Sequence, residues 1–313
     1  MANFNFTFPI PTQEYKIEFD KSILFLGSCF SDEIGKQAKL CGLKSIANPF
    51  GTLFHPIAIG QSILDSLNET KSCKWVQKDD VFFHWGSSGK IHAYSQLELE
   101  NKLIIEQELQ KTELKLASHL FLTFGTAKGY RLKENKKLVA NCHKQHPSLF
   151  EIEVSKAHEI VDFWQPLIQQ LKRLNPNLQL IFTVSPVRHL KDGIVENNRS
   201  KAELLLAVET LSEIENCSYF PSYEIVLDEL RDYRFYNSDF SHPNELAISY
   251  VWERFSRTFF SEETRINSEK VRAIKIALNH KGLYEKSFKL QEHQLLTLQK
   301  KEKLNQEIKG IFW

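Results

Sequence analysis

The chain has 313 residues, 42% of them apolar, enough to bury the core of one large domain or of one domain with an appendage. Lys and Arg number 40 against 39 Asp and Glu, and the net charge of +1 argues against a general nucleic-acid or membrane-surface binder. Five cysteines (Cys29, Cys41, Cys73, Cys142 and Cys217) are scattered, odd in number and without a CxxC pair, so neither a disulfide framework nor a zinc finger is indicated. With no basic leader and no apolar run near the ~18 residues of a membrane span, the chain reads as a reduced, cytoplasmic protein.

Residues 1–21 predict an extended lead-in, in which Phe4, Phe6 and Phe8 alternate and Pro9 and Pro11 stop any helix. Ile23–Leu26 predicts a short buried strand that Gly27 ends, and Phe30–Leu40 has helical spacing with Phe30, Ile34 and Ala38 on one side. A turn-rich loop, Asn48–Pro56, leads into a helix over about 57–67. The aromatic stretch 73–95 reads as short strands or a loop. A charged amphipathic helix is predicted over 97–117, a second buried strand over 120–126, and a small hairpin over 130–140. There follow a helix over 155–174, a third strand over 178–184, a helix over 198–214, a short strand over 218–220 and a helical turn over 223–230. Strands separated by helices of this length predict a three-layer α/β/α sandwich with a mainly parallel sheet. The segment 262–313 carries 11 Lys/Arg against 7 Asp/Glu and predicts two helices, about 267–279 and 291–308, packed on the domain by default.

Two stretches carry chemistry. The strand–turn–helix at Gly27-Ser28-Cys29-Phe30 sets a hydroxyl beside free helix N–H groups, which stabilise developing negative charge. Asp239-Phe240-Ser241-His242-Pro243 puts a carboxylate within reach of one imidazole nitrogen and leaves the other free, with Pro243 in the first turn of the next helix. Cys142, His143 and His146 look metal-like but lack a full ligand set, so no metal and no cofactor are expected.

Taken together, Gly27-Ser28-Cys29-Phe30, Asn48-Pro49-Phe50-Gly51, Gly125-Thr126-Ala127, Asn141-Cys142-His143-Lys144, Ser185-Pro186-Val187-Arg188-His189-Leu190 and Tyr219-Phe220-Pro221-Ser222-Tyr223-Glu224 resemble the GSCFA family over about residues 22–258. That family is similar to SGNH hydrolases. The resemblance implies a catalytic domain over 1–261 with a basic helical extension over 262–313. It also implies a serine esterase acting on an acyl or acetyl oxygen ester of a small molecule or glycan. Ser28 would be the nucleophile, His242 the base and Asp239 its orienting acid, with Gly51 in the oxyanion hole. Ala127 stands where such enzymes usually have an Asn donor, and Asn141 is the expected replacement. His143 and Arg188 are expected at the substrate. Cys29 as nucleophile, acyl transfer in place of hydrolysis, and ligand binding without chemistry are the alternatives.

Overall fold

The computed structural model describes residues 6–68, 75–280 and 288–313; Phe4 and Cys73 lie outside the described residues. The three apolar runs form the centre of a five-stranded parallel sheet. These are β1 (Ser22–Gly27), β6 (Ala117–Phe124) and β10 (Gln179–Val184), flanked by β2 (Lys44–Ala47) and β11 (Cys217–Tyr219), in the order β11-β10-β6-β1-β2. Alternation along the strands sends side chains to opposite faces. Leu24, Leu26, Leu120, Leu122, Leu180 and Phe182 meet α2 (Pro56–Leu67), α3 (Gln96–Leu116), α4 (Ala157–Leu174) and α5 (Ile194–Ser212) on one face. Ile23, Phe25, Phe121 and Ile181 meet α1 (Cys29–Leu40) and α7 (Glu245–Phe259) on the other. Each such side chain, fully buried, contributes ~1.5–3 kcal/mol. The result is a three-layer α/β/α sandwich. On the second face Phe25 stacks on Phe121 at 4.9 Å, and both lie against Phe255.

Helices α8 (Glu262–Asn279) and α9 (Phe288–Glu307) start a few residues earlier than the spacing predicts, and Val271, Ile274 and Leu304 share the core of that same face. The aromatic stretch makes a small antiparallel sheet of β3 (Trp75–Lys78), β4 (Val81–His84) and β5 (His92–Ala93). The expected hairpin, β7 (Lys128–Leu132) with β8 (Leu138–Val139), gains a third strand, β9 (Phe150–Val154). The residues expected as a helical turn form α6 (Ser222–Glu224) and a π-helical turn, Ile225–Glu229. One boundary needs correction: Pro243 precedes α7 and does not sit in its first turn. Asn244 is the cap, its Oδ1 accepting from the N–H groups of Leu246 and Ala247.

The chain leaves β1 to one side for β2 and returns on the other side as β6. The sheet therefore has its switch point between β1 and β6, where a parallel sheet opens a crevice beyond its carboxyl ends. Gly27 sits there with φ +133°, and a Cβ on it would lie 2.2 Å from the Thr123 carbonyl oxygen, so only glycine allows this approach. Among the described residues no helix is long and apolar enough to cross a membrane, and the four described cysteines are unpaired.

Candidate active site

The β1–α1 turn is tied to its neighbours by side chains from loops at the same edge. Gly27 N–H donates to Asn48 Oδ1 at 2.8 Å, and Asn48 Nδ2 donates to Asp32 Oδ1 at 2.8 Å. Thr52 Oγ1 donates to Asp32 Oδ2, and Ser31 Oγ donates to Thr123 Oγ1 at 2.7 Å. The turn is thereby fixed before any ligand arrives.

Ser28 is the N-cap of α1. Its side chain is buried, 1% exposed, and its Oγ accepts from Phe30 N–H at 3.3 Å, while its own N–H donates to Thr123 O. Cys29, one residue on, borders a cavity of about 480 Å³ together with His242, Glu33 and Arg272. Its thiol is raised above the usual range, first by burial and then by Asp32, and the N–H groups of Cys29 and Phe30 oppose that shift.

His242 and Asp239 meet as their spacing predicts. His242 Nδ1 lies 2.7 Å from Asp239 Oδ2, so it carries the proton and donates, and Nε2 has no partner among the described residues. Both side chains are about half exposed, 47% and 49%. The N–H groups of His242 and Ser241 donate to Asp239 Oδ1, and these bonds, with that of the His242 ring, hold the Asp239 carboxyl down at about 2.

The expected oxyanion donors have these partners. Gly51, at φ +71°, donates its N–H to Asn48 O across a tight turn, and a Cβ there would meet Ser88 Oγ at 1.9 Å. Asn141 Oδ1 accepts from His143 N–H at 2.7 Å in the turn after β8. Ala127 N–H donates to Ser200 Oγ, and Ala127 O accepts from His55 Nε2. The Ser28 N–H is committed to Thr123 O. His143 is buried under Phe83, its ring 4.8 Å from that phenyl and its Nε2 donating to His84 O.

Arg188 lies beside the loop that carries His242. Its N–H donates to Ser241 O, one residue from His242, and its guanidinium packs over the Tyr236 ring at 4.5 Å. His55 and Lys201 complete the frame. His55 caps α2 through Nδ1, which accepts from Ile57 N–H, so Nε2 carries the proton toward Ala127 O; burial lowers this imidazole to about 4. Lys201, on α5 and 1% exposed, donates from Nζ to the carbonyls of Gly125 and Ser185, both at 2.6 Å, and burial lowers it to about 7. It joins the ends of β6 and β10 beneath the site. Among the described residues no group of three or more His, Cys, Asp or Glu could hold a metal ion.

These features define a three-layer α/β/α protein with a histidine–aspartate pair at the carboxyl edge of its parallel sheet, beside a helix N-terminus. More narrowly, the chain belongs to the GSCFA family, whose model matches residues 22–255. Among curated proteins, none matches it.

Proposed function

We propose that this chain is an acyl-ester hydrolase of SGNH type, acting through a covalent acyl-enzyme on an oxygen ester of a small molecule or glycan. Acyl transfer differs only in the acceptor, an alcohol in place of water. The observation that carries the reading is the 2.7 Å bond from His242 Nδ1 to Asp239, with Nε2 unpartnered among the described residues and His242 bordering the same cavity as Cys29. A carboxylate that fixes the tautomer and stabilises the imidazolium is what a general base needs.

Geometry favours Cys29 over Ser28 as that nucleophile, because Cys29 borders the cavity with His242 while Ser28 is buried as the helix cap. The Cys29 thiol is raised, so it is no standing thiolate; His242 Nε2 takes its proton as sulfur attacks. The S–C bond forms as the carbonyl electron pair moves to oxygen, which the Cys29 N–H stabilises. The intermediate collapses, His242 returns the proton to the leaving alcohol, and water activated by His242 then cleaves the thioester. The resemblance to SGNH enzymes favours Ser28 instead, which would require its Oγ to leave the Phe30 N–H.

A panel of aryl esters of increasing acyl length tests the reading. Activity should be present in the full chain and lost in His242→Ala. Loss in Cys29→Ala with retention in Ser28→Ala supports the thiol, and the reverse pattern with fluorophosphonate labelling supports the serine. Turnover unchanged by all three substitutions would sink both.

A further inference from the structure

The loop that carries the His242–Asp239 pair holds one residue against its backbone preference. Phe240 lies at φ +54°, and among the described residues it is the only apolar one at positive φ. A bulky L-residue is strained there, where glycine or asparagine is the usual occupant. The turn Asn237–Phe240, closed by the Phe240 N–H donating to Asn237 O at 2.9 Å, holds that conformation. Burial does not offset the cost, because Phe240 is 55% exposed. Its ring meets that of Tyr233, itself 62% exposed, edge to face at 5.7 Å. Phe240 is two residues from His242, a backbone span of no more than about 7 Å. A strained side chain that adds little to the core, placed inside the reacting loop, points to a use outside the fold.

The polar groups around these rings carry both signs. Tyr233 borders a cavity of about 370 Å³ together with Arg188, Asp228, Arg231 and Asp232. The carboxylates oppose an anion and the guanidinium groups oppose a cation. A neutral ligand that both donates and accepts hydrogen bonds can use all of them. A pyranose is such a ligand, and its C–H faces pack on aromatic rings. The two rings stand at 85°, a corner that suits a puckered ring and does not sandwich a flat one.

We propose that Phe240 and Tyr233 form a stacking platform for a neutral sugar ring, the alcohol part of the ester, beside the reacting pair. The inference rests on the acyl-hydrolase reading above, because the place of Phe240 between Asp239 and His242 is what ties the sugar to the ester bond.

Saturation-transfer NMR on the full chain, with the methyl β-glycosides of glucose, galactose and N-acetylglucosamine, tests the platform without any turnover. Wild type should show transfer to the ring protons of at least one, and Phe240→Asn and Tyr233→Ser should each weaken it. Asparagine suits the positive φ, so the thermal midpoint of Phe240→Asn should equal or exceed that of wild type. Ester kinetics test the link to chemistry. The ratio of kcat/KM for an O-acetylated glycoside of the sugar that binds to that for ethyl acetate should fall about threefold to tenfold in Phe240→Asn. A lower midpoint in Phe240→Asn would make the phenyl a support of the fold and overturn the inference. Absence of Phe240-dependent transfer to all three glycosides, or transfer to benzyl alcohol in their place, overturns it as well, whatever the esters do. Phe240-dependent transfer in a chain that turns over no ester leaves the platform standing and removes the hydrolase reading.

Discussion

His242 Nδ1 and Asp239 Oδ2 are 2.7 Å apart, on a loop that also aims the N–H groups of Ser241 and His242 at the same carboxylate. Three donors hold Asp239 ionised down to about pH 2, so its charge is constant over the working range. Asp239→Asn keeps the shape and removes the charge that stabilises the imidazolium. We expect kcat to fall ~10²–10⁴-fold with little change in KM, measured on the best ester of the panel. A fall below threefold would remove Asp239 from the mechanism.

Cys29 alkylation separates exposure from reactivity. Cys29 borders the cavity, and its thiol is raised by burial and by Asp32. Iodoacetamide should modify it slowly at pH 7 and faster as pH climbs past 9. Asp32→Asn should shift that rise to lower pH, read by mass spectrometry of the peptide carrying Cys29. A rate already at its plateau at pH 7 would mean a thiolate that this environment does not predict.

Lys201 makes stability depend on pH in an unusual direction. In the folded chain its ammonium gives up its proton near pH 7, whereas the unfolded chain holds it to about 10.5. Between those values the unfolded state binds more protons, so this group's contribution to stability rises with pH. Lys201→Met should therefore flatten the slope of unfolding free energy against pH between about 7 and 10.5. The absolute stability of the variant matters less, since it also orphans the Gly125 and Ser185 carbonyls. Chemical denaturation at several pH values gives the slope directly, and identical slopes would refute the assignment.

The histidines set the acid limit. His55, His84, His119 and His189 are each lowered to about 4, chiefly by burial. Each is neutral when folded and takes a proton more readily when unfolded. Stability is complete above about 6.5 and is lost as pH falls toward 4. His55→Gln should remove up to one proton from the uptake on unfolding at pH 5, measured by the pH dependence of the denaturation midpoint. An uptake equal to wild type would show that His55 is not held neutral.

Much of the fold is written locally. The runs at 23–26, 120–124 and 179–184 are apolar on both faces, as buried parallel strands require, and they became β1, β6 and β10. The meeting of Asp239 with His242 was equally legible, since three residues of one loop suffice for it. Strand β2 was not, because Lys44 and Ser45 interrupt its apolar pattern at the sheet edge; nor was β9, whose Glu151 and Glu153 face solvent. The choice between Ser28 and Cys29 lies beyond local pattern. On a helix, neighbouring side chains diverge by about 100°. Which one faces His242 is decided by how α1 seats against α7, a contact between distant parts of the chain. Burial of Lys201 is likewise tertiary, since nothing in its helix distinguishes it from Arg199, which pairs with Glu196 at the surface. The duty of Gly51 depends on Ser88, again from another element.

Arg272 belongs to α8, yet it borders the cavity that holds Cys29 and His242, and it lies past residue 255, where the family match ends. Part of that cavity's enclosure thus comes from a helix outside the segment that the family model matches. Substitution along α8 can then reshape the rim of that cavity while the His242–Asp239 pair keeps its geometry.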